Sequence, residues 1–350
     1  MLLLMDELIK KLFSNIPDRA YAREGRCVCE GRIVIEKALQ NGIRLEALLC
    51  TRERLAEYKS LCHAYTSHSG TPTAQIRVPN APSHNFPIVG LSHREIEQLV
   101  GFDFHRGALA IAQRPPLMQP KAPVQPVSSN TDSTYRAIFT VHSESVPSHT
   151  PSYTGYKPGS TDYAPDGLME GNALILWQVT DPDNLGALIR CASALGARAV
   201  ILSPGSADPY SRKALRTSMG CAFSMQLYAV QTIDELVAFS AAANASLTAA
   251  CPIHDKAIET TANTKSEAVS IRRQTKLKAK RIFTDGVSPA YIEPDTIPRP
   301  LWLMLGNEGW GLPEEVLSKV SYRVAIPMHN NTDSLNVAAA GAILMYELFY

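Results

Sequence analysis

Two short apolar runs near the carboxyl end constrain this chain more than any other feature. Residues 301–313 read Leu-Trp-Leu-Met-Leu-Gly-Asn-Glu-Gly-Trp-Gly-Leu-Pro, residues 325–328 read Ala-Ile-Pro-Met, and residues 332–348 read Thr-Asp-Ser-Leu-Asn-Val-Ala-Ala-Ala-Gly-Ala-Ile-Leu-Met-Tyr-Glu-Leu. Each run is strand-like and ends in a small or turn-forming residue. A polar loop then opens an apolar helix. Residues 306–309, 326–328 and 333–336 are therefore expected at one edge of a sheet. Loops beyond the carboxyl ends of parallel strands are where open α/β sheets bind ligands. Packing alone has no need of three such segments in series.

A fourth segment points to the same edge. Residues 173–179, Ala-Leu-Ile-Leu-Trp-Gln-Val, form a nearly continuous apolar run, as a buried parallel strand does. Thr180-Asp181-Pro182-Asp183-Asn184 follows, with the cap and turn residues that begin a helix. That helix runs from Leu185 to Leu195 and stops at Gly196, a C-cap type. Asn184 thus stands at the helix start and Arg190 in its second turn. Arg190 is the only charge between Leu185 and Ala197.

From residue 170 onward strands and helices alternate. Strands are expected at 173–179, 198–202, 226–230, 247–251, 301–305 and 322–326, and helices at 185–195, 209–219, 233–243, 313–320 and 334–348. This order implies an α/β fold with a mostly parallel sheet covered on both faces. Ahead of it, residues 1–114 read as a smaller α/β domain. It has a helix from Gly31 to Gly42, strands at Ala47–Cys50, Phe86–Val89 and Ala108–Ala112, and a helix through Val100 capped by Ser92 with Glu95 at capping-box spacing. Residues 115–168 are rich in Pro, Ser and Thr and poor in large aliphatics, which suits a flexible linker. The third unit is 169–350. Within it, residues 255–285 form an insertion with a basic core, Arg272 to Arg281. Either RNA phosphate contact or a solvated loop accounts for it.

The net charge of +1 excludes a strongly basic nucleic-acid binder, so any such contact must come from local patches. Seven scattered cysteines without a Cys-x-x-Cys pair argue against zinc and for reduced thiols. Asp6 and Glu7 interrupt the apolar start, which is too short for a signal core, and no stretch is long enough to cross a bilayer. A soluble cytoplasmic protein is expected.

The chemistry is not that of an ordinary dinucleotide fold. The first strand of the large unit leads into Asp-Pro-Asp-Asn-Leu-Gly rather than a glycine-rich turn. The second leads into Ser203-Pro204-Gly205 rather than an acidic residue. Instead, Asn184-Leu185-Gly186 with Arg190, then Gly306-Asn307-Glu308-Gly309, then Ile326-Pro327-Met328 with Ser334-Leu335-Asn336-Val337 occur in the order of three known motifs. On these residues the chain resembles the SpoU (TrmH-type) branch of the SPOUT RNA 2′-O-ribose methyltransferases, over about residues 170–350 and more weakly over 15–114. It departs at Ala338, where the family usually has serine.

The resemblance implies a trefoil-knotted catalytic sheet, a rare exception to unknotted topology. It implies S-adenosyl-L-methionine held against Leu305, Gly306, Ile326, Met328 and Leu335, and no metal. It implies RNA as substrate, most often large-subunit ribosomal RNA. Transfer RNA, or a non-catalytic RNA-binding assembly factor of the same fold, are the alternatives. It further implies a homodimer of catalytic domains that share residues across their sites, and the N-terminal domains are expected to swing freely on their linkers. The N-terminal domain resembles the RNA-binding domains of certain ribosomal proteins, with Arg23, Arg26, Arg32 and Lys37 facing RNA or forming a solvated face.

The catalytic set implied is Asn184, Arg190, Glu308, Ser334 and Asn336. A guanidinium, with a pKa above about 12, is a poor base. Arg190 is better suited to grip the target phosphate or hydroxyl and lower the hydroxyl's pKa. Asn184 and Asn336 would orient the ribose or Arg190, and Glu308 would pair with Arg190 or bind substrate. As single residues, Asn184 and Ser334 also read as N-caps, Asn336 as a turn residue, and Glu308 as a helix-start charge.

Overall fold

The structure is a computed structural model that describes residues 9–14, 17–66, 86–104, 106–120, 171–251, 283–284, 290–291, 297–326, 328, 332 and 334–349. The expected linker beyond residue 120 and the basic core 272–281 lie outside the described residues. So do Pro327 and residues 329–331 and 333.

The first unit holds α1 (Asp18–Arg23), β1 (Arg26–Glu30), α2 (Arg32–Gln40), β2 (Leu45–Thr51), α3 (Leu55–Thr66), β3 (Ile88–Leu91), α4 (His93–Val100) and β4 (Ala108–Gln113). Its sheet order is β1-β4-β2-β3, antiparallel except for the β2–β3 pair. Three of these strands were expected from sequence. The fourth, β1, was not. The Ser92 cap is as expected, with Ser92 Oγ accepting from the Glu95 N–H and the Glu95 carboxylate accepting from the Ser92 N–H.

The second unit holds β5 (Ala173–Leu176), α5 (Pro182–Ala194), β6 (Ala199–Leu202), α6 (Arg212–Thr217), β7 (Gln226–Ala229), α7 (Ile233–Ala242) and β8 (Ser246–Ala250). The two-residue strands β9 (Phe283–Thr284) and β10 (Ala290–Tyr291) pair with each other. β11 (Leu301–Leu305), α8 (Glu314–Leu317), β12 (Tyr322–Val324) and α9 (Val337–Phe349) complete it. The main sheet has order β12-β8-β11-β5-β6-β7, and every pairing is parallel. The central strands β5, β6 and β11 are buried throughout, which is why they read as unbroken apolar runs. The alternating βα order places all strand carboxyl ends at one edge. Among the described residues no helix is long and apolar enough to cross a membrane. All seven cysteines are free thiols.

The two units are joined by more than chain connectivity. Glu30, only 3 % exposed at the end of β1, takes Arg212 at 3.2 Å and Arg216 at 3.6 Å, both on α6. The Arg212 N–H donates to Asp18 at 3.0 Å, and its guanidinium lies 3.7 Å from the centre of the Phe102 ring. Arg114 pairs with Asp208 and sits over Tyr210. Met118, expected within the linker, lies against the second unit instead: its N–H donates to Leu227 O, and the Ala229 N–H donates to Met118 O. An N-terminal domain swinging freely on its linker is therefore corrected to one docked on α6. A buried carboxylate between two arginines is costly to separate.

Candidate active site

The site forms where β5 and β11, neighbours at the sheet centre, both end. The Trp177 N–H donates to Leu305 O at 2.8 Å, closing the pair. The chain then turns sharply at Gln178, whose φ of 55° is left-handed. Three bonds hold that turn. The Gln178 N–H donates to Ser203 Oγ at 2.8 Å, its carbonyl accepts from Asn307 Nδ2 at 2.7 Å, and its Oε1 accepts from Trp310 Nε1 at 3.4 Å. Asn307 Oδ1 also accepts from the Gly309 N–H at 2.7 Å, and its backbone exchanges both bonds with Gly311. This nearly buried amide thus locks the 306–311 loop on one side and the 177–181 turn on the other. Sequence reasoning quoted Asn307 within a motif but assigned roles to neither it nor Gln178.

Gly306 was expected to let a ligand approach. A Cβ there would lie 2.5 Å from the Gly311 carbonyl carbon and 2.7 Å from the Leu312 nitrogen. What comes close is the chain's own returning backbone, so the glycine is required by the loop itself.

α5 begins earlier than expected. Asp181 is its N-cap, accepting from the Asp183 N–H at 3.1 Å, and Pro182 occupies the first turn. Asn184 therefore lies inside the first turn and is not the cap. Its side chain is free for another role. Asn184 Nδ2 donates to Glu308 Oε1 at 3.1 Å, and its Oδ1 accepts from Asn336 Nδ2 at 3.0 Å. The Glu308 carboxylate also accepts, at 3.4 Å each, from the Thr180 and Asp181 N–H groups. Asn336 Oδ1 accepts from the Ala338 N–H at 2.9 Å, capping α9. One continuous hydrogen-bond chain thus runs Asn336–Asn184–Glu308 and links all three motifs.

This arrangement revises several expectations. Glu308 is a helix-start charge, but for α5 rather than for the helix that follows it. It has no pairing with Arg190. Asn336, not Ser334, caps α9, and Ser334 is exposed. The missing serine at Ala338 costs no cap, because the amide of Asn336 supplies it. Arg190 is not gathered into the chain. Six residues at 3.6 per turn put it about 120° around α5 from Asn184. It is exposed, and no carboxylate among the described residues pairs with it.

Leu305 and Gly306 end β11, and Ile326 and Met328 follow β12. β8 lies between these strands, so at roughly 4.8 Å per strand the two groups stand about 10 Å apart on one edge. Leu305 is buried, Ile326 and Met328 are half-buried, and Leu335 is 38 % exposed. Backbone bonds between described residues use neither the amides nor the carbonyls of Gly306, Ile326 and Met328. Main-chain donors and acceptors flanked by aliphatic side chains suit a flat, neutral heteroaromatic ring. Among the described residues no cluster suits a metal ion.

Three of the four basic residues expected to face RNA make contacts within the chain. Arg26 pairs with Glu24 and with Glu46, the latter at 2.8 Å. Arg32 pairs with Glu57 at 2.8 Å. The stem of Lys37 lies against Gly220 of the second unit, where a Cβ would come within 2.8 Å of it. Arg23 is exposed at the end of α1.

A family model for the SpoU rRNA Methylase family matches residues 171–346, just over half of the chain, including all three motifs. The chain belongs to this family. The chain is 29% identical over 180 residues to a 23S rRNA (guanosine(2553)-2′-O)-methyltransferase of Bacillus subtilis, covering 50% of this chain and 56% of that one. An uncharacterized tRNA/rRNA methyltransferase of Mycobacterium bovis is 27% identical over 321 residues, 91% of this chain and 79% of its own. The SpoU chain spans about half the length of the first curated relatives that it matches. Its fold also matches the crystal structure of an AdoMet-bound rRNA methyltransferase from Sinorhizobium meliloti, with a TM-score of 0.57 at 17% identity over 97% of this chain and 92% of that one.

Proposed function

We propose that this SpoU-family chain is an S-adenosylmethionine-dependent RNA 2′-O-methyltransferase acting on large-subunit ribosomal RNA. The observation that carries the proposal is the Asn336–Asn184–Glu308 hydrogen-bond chain, which ties three separate motifs into one site. The activity of the Bacillus subtilis relative, a 23S rRNA 2′-O-methyltransferase, supports the substrate. A cytoplasmic location belongs to the same proposal.

When bound, S-adenosylmethionine would supply an already activated methyl group on a sulfonium. Leu305, Gly306, Ile326, Met328 and Leu335 would hold it, reading its ring edge through main-chain groups. The remaining task is to orient a ribose hydroxyl and ease loss of its proton. Arg190 grips the RNA phosphate or hydroxyl through its planar fork, and its fixed charge lowers the hydroxyl's pKa. Asn184 and Asn336 hold the ribose side of the site, with Glu308 anchoring both to the start of α5. Ser334, exposed beside them, completes the polar rim.

A homodimer belongs to this reading. Gly341, Leu344, Met345 and Leu348 bury one side of α9, while Ile343 (44 % exposed) and Tyr346 (62 % exposed) stand on another. An apolar helix exposed on one side is well covered by a two-fold copy of itself. The position of Arg190 away from its own chain's Asn184 supports a site shared between the two copies. The division into 1–114, 115–168 and 169–350, and the knot, are part of the same proposal. Of the four basic N-terminal residues, Arg23 is the least encumbered.

Mapping 2′-O-methyl positions in total RNA with and without the gene tests the reading. One or a few large-subunit positions should lose their methyl group. A lost position in transfer RNA would move the substrate assignment, and an unchanged map would reject the activity.

A further inference from the structure

A cleft opens where the two units meet, about 250 Å³ in volume, away from the Asn336–Asn184–Glu308 chain. Its floor is the buried Glu30, already countered by Arg212 and Arg216. Arg32, Arg106 and Arg216 stand around it, with Ile33 and Met219 supplying apolar wall. Arg32, Arg106, Arg212 and Arg216 outnumber Glu30 and the Glu57 and Glu36 carboxylates that answer Arg32, which leaves the cleft a positive excess in a protein whose net charge is only +1. Local imbalance of this kind, rather than total charge, draws anions.

Arg106 makes the case most clearly. Its stem packs on Gly31, where a Cβ would lie 3.2 Å from it, so its base is fixed. Its side chain is exposed, and no carboxylate among the described residues pairs with it. Arg32 is partly answered by Glu57, and Arg216 by Glu30, so both keep donors to spare. Ile33 is 47 % exposed at the same cleft, an aliphatic surface beside charges. Guanidinium forks match phosphate geometry, and an apolar wall suits the sugar and base that come with it.

We propose that this cleft binds a phosphodiester of the RNA substrate, with Arg106 as its principal contact and Arg32 and Arg216 beside it. The two units then grip one strand together, because Arg106 and Arg32 belong to the first and Arg216 to the second. The inference rests on RNA being the substrate.

The test measures binding of a labelled, mixed-sequence oligoribonucleotide to the full chain across a salt series. Arg106→Gln should weaken binding about five- to tenfold at low salt and make the slope of log K against log salt shallower by about one contact. Arg106→Lys, which keeps the charge, should keep the slope. Affinity for S-adenosylmethionine should not move, which separates lost RNA contact from lost fold. If wild-type protein binds and methylates RNA but Arg106→Gln has the same slope and affinity, the cleft assignment is overturned and the function stands. If wild-type protein binds no RNA, the functional reading itself is overturned. Arg106-dependent binding of inorganic phosphate, with RNA binding unchanged in the variant, would make this a free-anion site and also overturn the proposal.

Discussion

Asn184 holds the position on which the three motifs converge, and its chemistry there is demanding. It must accept from Asn336 and donate to Glu308 at once. A side-chain amide does both from one planar group, with acceptor and donor on separate atoms. Asn184→Ala removes both bonds and should lower kcat about tenfold or more, each lost bond being worth roughly 1 kcal/mol. Asn184→Asp keeps the acceptor but sets a second carboxylate against Glu308, so it should be worse than alanine although closer in shape. Equal activity of the Asp variant and wild type would show that the Glu308 contact has no bearing on turnover. Arg190 and Asn184 were legible in the sequence because each breaks a local pattern, a lone charge in one case and a motif start in the other. Gln178 and Asn307 were not legible, because the bond that joins them spans 129 residues and neither residue type breaks a local pattern.

At the scale of elements, the large unit was easy to read and the small unit less so. Strands buried on both faces, such as β5, β6 and β11, announce themselves as apolar runs. β1 reads Arg-Cys-Val-Cys-Glu, five residues with a charge at each end, and only tertiary contact explains why Glu30 is buried. That carboxylate supports the docking of α6. Glu30→Ala would leave Arg212 and Arg216 facing each other without a counter-charge. Chemical denaturation should show a loss of about 3 kcal/mol, the low end for a buried pair because both arginines are partly solvated. A change under half a kcal/mol would mean the units are not docked in this way.

α6 also seats α5. Lys213 reaches Asp183 at 3.0 Å, and Thr217 Oγ1 donates to it at 2.9 Å. Burial pushes the Asp183 carboxyl up, but these bonds outweigh it and hold it below the ordinary carboxylate range. Its contribution to stability is therefore present above the unfolded carboxylate's pKa and is lost as pH falls through the lowered folded value.

For the whole molecule, the sequence foretold a mobile first unit, whereas contacts at Glu30, Asp208 and Met118 dock it. The reason is physical. Ion pairs and strand-edge contacts between distant segments leave no periodic trace in either one. The proposed dimer makes a sharper demand. If each site takes Arg190 from one copy and Asn184 from the other, co-expressed Arg190→Ala and Asn184→Ala chains should complement. Random pairing gives half mixed dimers, each with one intact site, so about a quarter of wild-type activity should return. Activity no higher than that of the separate variants would place both residues in one chain's site.

The central claim is methyl transfer to a ribose hydroxyl of RNA. Purified chain, methyl-labelled S-adenosylmethionine and large-subunit ribosomal RNA test it most directly, followed by alkaline hydrolysis. A 2′-O-methyl group blocks cleavage at its own nucleotide, so the label should appear in an alkali-resistant dinucleotide. Label released as an ordinary mononucleotide carrying a methylated base, or no label at all, would contradict the account.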